Sequence, residues 1–122
     1  MNFPVIIQQT ENKGEVIFEL EIDASLDAFA GHFDTFPIVP GVVQIQWALH
    51  FFGHYMKQPD ASSHRWQITK VTKLKFQHVI TPRTIVSLAL NYDDSKQSLS
   101  FALTSAEGQH SSGKLFLQAV EP

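Results

Sequence analysis

One long apolar segment restricts the folds open to this chain more than any other feature. It runs from Gly41 to about Lys57 (GVVQIQWALHFFGHYMK), contains no proline and is apolar on nearly all sides. Periodicity alone does not separate a buried helix from a buried strand here, but strands seldom reach this length whereas helices often do. The segment therefore predicts one long helix, and a helix that is apolar all round has to lie inside the protein.

The remaining segments are typical of antiparallel strands. Glu15 to Ile22 alternates polar and apolar residues, and the turn signal Asn12-Lys13-Gly14 joins it to the β-forming residues Phe3 to Gln9. Arg65 to Val79 also alternates, with one phase break that predicts a bulge. Further strands are predicted at Thr84 to Asn91, Ser98 to Ser105 and Lys114 to Val120. One helix and about six strands favour an α+β fold in which a long antiparallel sheet wraps around the helix.

The composition excludes several classes of protein. The chain has 122 residues without a linker or repeat, so we expect a single domain over residues 1–122. With 43% hydrophobic and 17% charged residues it resembles neither a disordered nor a membrane-spanning chain, and a net charge of −3 does not favour a nucleic-acid partner. There is no cysteine, and the N-terminus does not read as a signal peptide, so we expect a cytoplasmic protein.

A histidine, two prolines and a glycine come directly before the helix, in the stretch GHFDTFPIVPGVV. This stretch resembles the loop of the 3-hydroxyacyl-acyl carrier protein dehydratases, and the helix that follows is similar to that of the dehydratase-like proteins of aryl polyene biosynthesis clusters. The matching residues are Gly31-His32-Phe33, Pro37 and Pro40-Gly41-Val42. Further along, KLKFQHVITPRT is weakly similar to the strand and turn after the helix in that family. The resemblance implies the hot-dog fold, a curved antiparallel sheet around one central helix.

The resemblance also implies roles for three residues. In the family, the histidine at the His32 position is catalytic, and a carboxylate fourteen residues later completes the site across a dimer interface; here that position is Gln46. An imidazole suits the base that removes the proton next to a thioester carbonyl. Gly41 follows Pro40 at the helix start, where backbone amides lack helical partners, so it suits the donor to the thioester oxygen. Gln46 can hold the substrate hydroxyl or a water, but it cannot act as an acid.

We therefore expect dehydration of a 3-hydroxyacyl chain on acyl carrier protein to a trans-2-enoyl thioester, with no cofactor and no metal. The residues expected to contact the substrate are Phe33, Pro40, Val42, Trp47 and Arg83. A basic cluster suits an acidic carrier protein or the phosphate of its pantetheine arm, and it is equally typical of a solvated strand face. That cluster consists of Lys70, Lys73, Lys75 and Arg83.

The glutamine at position 46 leaves three interpretations open. His32 acts alone, first as base and then as acid, while Gln46 orients the hydroxyl. Alternatively, the chain is a weak or inactive dehydratase that binds acyl chains or supports an active paralogue, as a homodimer or a heterodimer. The third interpretation is a thioesterase in which Gln46 places water.

Two further clusters bear on the same site. Gln46, His50 and His54 share one helix face, which favours a partner contact over a metal site because no third ligand is evident. Asp34, the nearest carboxylate to His32, is more typical of a solvated loop residue.

Overall fold

The computed structural model describes residues 2–29, 37–56 and 65–120. Six strands form one antiparallel sheet in the order β1-β2-β4-β5-β6-β3. Their bounds are β1 Val5–Asn12, β2 Glu15–Ile22, β3 Arg65–Phe76, β4 Thr84–Asp93, β5 Ser98–Ser105 and β6 Gly108–Val120. A short 3-10 turn spans Asp27–Phe29, and the helix α1 spans Gly41–Phe51 and continues as a π-helical turn over Phe52–Met56. The prediction of one long helix and six strands is therefore confirmed, and the arrangement is that of the hot-dog fold.

The first hairpin follows from its turn. Asn12 pairs with Glu15, which leaves Lys13 and Gly14 as a two-residue loop. Both loop residues have positive φ, 53° and 86°, as the turns that match the right-handed twist of two strands require. Glycine adopts such a φ without strain, so this sequence folds back at one defined register.

The core lies between the sheet and the helix. On β2, on the middle of β4, from Leu99 to Leu103 on β5 and from Leu115 to Leu117 on β6, every second side chain is buried, so one face of the sheet is apolar. The helix places Trp47, Ala48 and Phe51 against that face, all at most 1% exposed. The ring centroids of Phe18 on β2 and Phe51 lie 5.4 Å apart, so strand and helix side chains interdigitate.

The helix is not buried on all sides, contrary to the prediction. Val42 is 64% exposed, and Gln46 and Tyr55 are also exposed in the single chain. One sheet covers only one side of a helix, so the opposite side meets solvent or another chain. No helix among residues 2–29, 37–56 and 65–120 is long and apolar enough to cross a membrane.

Strand β3 forms one edge of the sheet and is irregular. It pairs with β6 on one side, and the register shifts twice, between Ile68 and Lys70 and between Thr72 and Lys75. The single phase break predicted for this strand is therefore two irregularities, and the second places Lys73 at a φ of 56°. Val71, Leu74 and Phe76 are 39–49% exposed along this edge. Apolar side chains on an unpaired edge are typical of a strand that pairs with another chain.

Candidate active site at the start and along one side of the helix

The helix begins with two backbone amides that have no carbonyl partner in the described part of the chain. Pro40 is extended (φ −60°, ψ 149°), and its carbonyl accepts hydrogen bonds from the amides of Val43 (3.1 Å) and Gln44 (3.2 Å). The amides of Gly41 and Val42 donate to no backbone carbonyl among the described residues. Pro40 also provides no side-chain cap. Free amides at the positive end of a helix favour a developing negative charge, such as that on a thioester oxygen.

The ring of Phe76 covers the backbone of Gly41. A β-carbon built on Gly41 would lie 2.7 Å from Cζ of Phe76, which is closer than real contacts allow. The residue at position 41 therefore has to be glycine for Phe76 at the end of β3 to keep its place. Sequence reasoning assigned Gly41 as the donor to the thioester oxygen, and the structure adds a packing reason for a glycine at this position.

A cavity of about 340 Å³ opens beside this helix start, and we call it the helix-start cavity. Its lining includes Pro40, Gly41, Gln44, Phe76, His78 and His110. Gln44 is only 4% exposed; its Nε2 donates to the carbonyl of Val39 (3.1 Å), while its Oε1 has no partner among the described residues. The cavity thus combines the backbone of Gly41 at the helix start, a buried amide side chain and two histidines.

His110 is locked in place at the wall of the helix-start cavity. It is 2% exposed, and its Nδ1 lies 3.1 Å from the carbonyl oxygen of His78. Because a carbonyl only accepts, Nδ1 of His110 carries the proton, and Nε2 then accepts from the Ser105 hydroxyl at 2.7 Å. Both ring nitrogens are engaged, so His110 holds the segment after β3 against β6.

Gln46 lines a different cavity. This second space, the helix-side cavity, has a volume of about 330 Å³ and is lined by Gln46, Leu49, His50, Gly53, His54, Arg65 and Trp66. Five residues along a helix correspond to a rotation of about 140°, so Gln46 and Gly41 point in different directions. Within one chain the two predicted site residues therefore do not share a cavity.

His50 in the helix-side cavity is held as a neutral imidazole. Its ring stacks on Phe3 with centroids 3.5 Å apart, and the ring of His54 lies 4.2 Å away. Burial and the neighbouring charge of His54 lower the pKa of His50 to about 4. His54 in turn lies with Nδ1 3.1 Å from the carbonyl oxygen of His50. The predicted polar stripe of Gln46, His50 and His54 does face one space, and residues 2–29, 37–56 and 65–120 hold no group of three His, Asp or Glu side chains arranged for a metal.

The other predicted site residues are dispersed. His32 and Phe33, and also Asp34, lie outside the described residues. Trp47 is fully buried in the core and lines neither cavity, so its placement does not support a substrate contact. Val42 is exposed at the helix start.

Arg83 does not join the lysines, contrary to the predicted cluster. Its amide donates to the carbonyl of Ile22 (2.7 Å), and it lines a separate cavity with Glu21 and Asp23. The strand order explains this, because β4, which follows Arg83, is separated from β3 by β5 and β6. The pKa of Asp23 is lowered mainly by hydrogen bonds from Ser25 and less by the charge of Arg83.

Three lysines do come together on the outer side of the sheet. Lys73 and Lys75 of β3 line a groove with Lys114 of β6, and Ser100 and Ser112 lie between them. Lys114 pairs with Thr72 of β3, which puts it beside the β3 bulge. Lys70 instead lies over the ring of Phe116, 5.5 Å from its centroid. Sequence reasoning missed Lys114 because Lys73 and Lys75, the other lysines of the groove, lie far earlier in the chain.

Sequence reasoning also missed most of the helix-start cavity. Gln44 comes from α1, Phe76 and His78 from the end of β3 and the segment after it, and His110 from β6, so these residues are far apart in the sequence. One signal was present, since Phe76 and His78 lie in the KLKFQHVITPRT stretch that resembles the family. His110 had no such signal.

The fold, with an open helix start beside a cavity, is that of the hot-dog dehydratases. The profile of the ApeI-like family, described as ApeI dehydratase, matches residues 8–114. Because this match covers most of the chain, the protein belongs to the ApeI-like dehydratase family. A comparison with curated proteins found no match.

Solved structures agree with this family. A chain of the dehydratase heterocomplex ApeI:P from Xenorhabdus doucetiae is 30% identical, with a TM-score of 0.81 over 95% of this chain and 98% of that one. An uncharacterized protein from Erwinia carotovora subsp. atroseptica is also 30% identical, with a TM-score of 0.80 over 98% of both chains. A variant of the GphF dehydratase is 16% identical with a TM-score of 0.61, over 98% of this chain and 45% of that one, and it shows the fold alone.

Proposed function

We propose that this protein dehydrates a 3-hydroxyacyl thioester carried on acyl carrier protein to a trans-2-enoyl thioester, in a fatty acid or aryl polyene type of biosynthesis in the cytoplasm. The observation that carries the proposal is the helix start of a dehydratase-family member, where the amides of Gly41 and Val42 have no backbone partner among the described residues and Gly41 lines the helix-start cavity. These amides suit the oxygen of a thioester that gains negative charge when the neighbouring carbon loses its proton.

The reaction then needs a base and a proton for the leaving hydroxyl. His32 is our candidate base, carried over from the GHF motif. It takes a proton from the carbon next to the carbonyl, the electron pair forms the new double bond, and the hydroxyl leaves as water after gaining a proton. Gln46 has no acidic proton to give, so its role is to hold the hydroxyl or a water.

We further propose that a complete site needs two chains. Gly41 and Gln46 line different cavities of one chain, so the helix start of one subunit and the helix side of another would form one site. The exposed edge of β3, with Val71, Leu74 and Phe76, suits sheet-to-sheet pairing of the two subunits. The structural relative from Xenorhabdus doucetiae is a heterocomplex, which supports a paralogue as partner beside the homodimer.

A second candidate function is a partner subunit that binds acyl chains without turnover. It is favoured by the side-chain amide of Gln46, because the dehydratases that this chain resembles have a carboxylate at this position. In that case the paralogue would supply the acid and this chain the oxyanion amides.

The lysine groove of Lys73, Lys75 and Lys114 is our candidate contact for the acidic carrier protein. Dissolved salt screens the attraction between opposite charges, so affinity for the carrier protein should fall as the salt concentration rises.

One assay separates these functions. The purified chain, alone and mixed with a co-expressed paralogue, is incubated with a 3-hydroxyacyl thioester on acyl carrier protein. Enoyl absorbance from the chain alone supports the dehydratase, and enoyl product only in the mixture supports the partner subunit. Free thiol would identify a thioesterase, and neither product in any mixture would contradict the proposed reaction.

A further inference from the structure

We propose that His78 is a second catalytic histidine and donates the proton that the leaving hydroxyl needs. This inference rests on the proposed dehydration and names the group that replaces the acid absent at Gln46. Its basis is the placement of His78 at the helix-start cavity, the same cavity that contains Gly41.

The backbone of His78 is fixed although its side chain is exposed. Its amide donates to the carbonyl of Gln109 (3.1 Å), and its carbonyl accepts from Nδ1 of His110 (3.1 Å). The preceding residue, Gln77, donates to the carbonyl of His110 (2.9 Å). The backbone of His78 is thus held by two hydrogen bonds and that of its neighbour by a third, which fixes where the side chain starts at the wall of the cavity, and a fixed position favours proton transfer.

The imidazole of His78 is also chemically available. Its ring makes no hydrogen bond to any described residue, in contrast to His110, whose two nitrogens are both engaged. The rings of His78 and His110 lie 6.5 Å apart at 83°, so the two histidines do not share a proton. His110 is therefore a positioning residue, and His78 is the imidazole of this cavity that can exchange protons with a substrate.

The remaining described lining of the helix-start cavity contains no ionisable group. It consists of Ile38, Val39, Pro40, Gly41, Gln44, Phe76, Gln77 and Val79 besides the two histidines. Gln44 cannot transfer a proton, and its Nε2 is used by Val39. For a thioester held by the Gly41 amide, His78 is thus the acid that the described lining of this cavity offers.

The proton balance closes with two imidazoles. The base takes the proton from the carbon next to the carbonyl, and the electron pair becomes the double bond. His78, protonated on both nitrogens, gives one proton to the hydroxyl, whose bond to the third carbon breaks to release water. One proton then passes from the base back to His78 through solvent, so no external reagent is consumed.

The test is His78→Ala, assayed for enoyl formation in whichever assembly of the wild-type chain is active. We expect kcat to fall about a hundredfold, as loss of a positioned acid does, and added imidazole to restore part of it. The decline of kcat at high pH, which reports the acid, should disappear in the variant. Gln9→Ala, an exposed side chain on the opposite edge strand, serves as the control and should leave kcat unchanged.

The outcomes separate this inference from the proposed function. If the wild-type assembly is active and His78→Ala matches Gln9→Ala in rate and pH profile, the role of His78 is wrong while dehydration stands. If the rate falls without rescue by imidazole and without a change in pH profile, His78 acts structurally and the inference also fails. If no wild-type assembly forms enoyl product, both proposals are overturned.

Discussion

The ring of Phe76 lies against the backbone of Gly41, and its Cζ would be 2.7 Å from a β-carbon on that residue. This contact joins the end of β3 to the start of the helix. It therefore links the edge where we propose that a second chain pairs to the amides that we propose hold the thioester oxygen. A side chain larger than hydrogen at position 41 would meet the Phe76 ring, so a change at one position should affect the other.

The first prediction concerns this contact. Gly41→Ala should lower the free energy of unfolding by about 1–2 kcal/mol, because the new methyl group forces the Phe76 ring away. Chemical denaturation of Gly41→Ala, Phe76→Ala and the double variant measures the coupling. We expect the double variant to be more stable than the sum of the single effects predicts. Simple additivity would show that the ring moves aside without strain.

The second prediction concerns the acid. Gln46→Asp should raise enoyl formation by the chain alone by about tenfold or more, because the hydroxyl would then have a carboxylic acid beside it. The matched control is Gln9→Asp, which changes the same groups at an exposed site on β1. Equal rates for both variants would show that the missing carboxyl group does not limit the reaction.

The third prediction is a pH dependence of stability. The folded pKa of His50, about 4, lies below the ordinary value of 6.5, so between these values the unfolded chain binds the proton and the folded chain does not. Stability should therefore be fully present above pH 6.5 and fall as the pH drops toward 4. After discounting for solvent screening, the loss from this group by pH 5 is on the order of 1 kcal/mol.

Urea unfolding at pH 7.5 and pH 5 tests this, with His50→Gln beside the wild type. The variant should show the smaller difference between the two pH values, since glutamine does not titrate. An equal difference would assign the pH dependence to other groups.

The fourth prediction concerns the support of His110. Ser105→Ala removes the hydroxyl 2.7 Å from its Nε2 and leaves a buried acceptor without that partner. We expect a loss of about 1–3 kcal/mol in the free energy of unfolding. Ser95→Ala, on an exposed turn between β4 and β5, offers a serine control whose hydrogen bonds lie in solvent. A loss no larger than that of Ser95→Ala would mean that water replaces the hydroxyl.

The fifth prediction is a stabilising change. Lys13 has a φ of 53°, which asparagine tolerates better than lysine. Lys13→Asn should therefore raise the melting temperature, with a gain of about 0.5 kcal/mol, whereas Gly14→Ala at a φ of 86° should lower it. If both substitutions shifted the melting temperature in the same direction, the assigned turn geometry would be contradicted.

Local patterns predicted most of the fold. The two-residue alternation in Glu15 to Ile22 and the long apolar segment from Gly41 are properties of single elements, and both elements formed where predicted. The start of β6 was missed by six residues, because Gly108 and His110 to Gly113 lack apolar alternation and are held by pairing with β5.

The site was less predictable than the fold. Gly41 could be selected from its place after a proline, but the partners around it come from distant segments. Phe76 and His110 approach it only because β6 lies between β5 and β3 in the sheet. Which cavity Gln46 faces depends on its angle around the helix axis relative to the sheet, and no local pattern specifies that angle.

The exposed edge of β3 bears on how the protein is produced in the cell. In the pairing proposed above, a subunit made in excess over its partner would expose the unpaired backbone groups of β3 beside Val71, Leu74 and Phe76, and exposed strand edges of this kind promote aggregation. Synthesis of the two subunits in equal amounts would keep this strand edge paired. The yield of soluble protein should therefore depend on the ratio in which the two subunits are expressed.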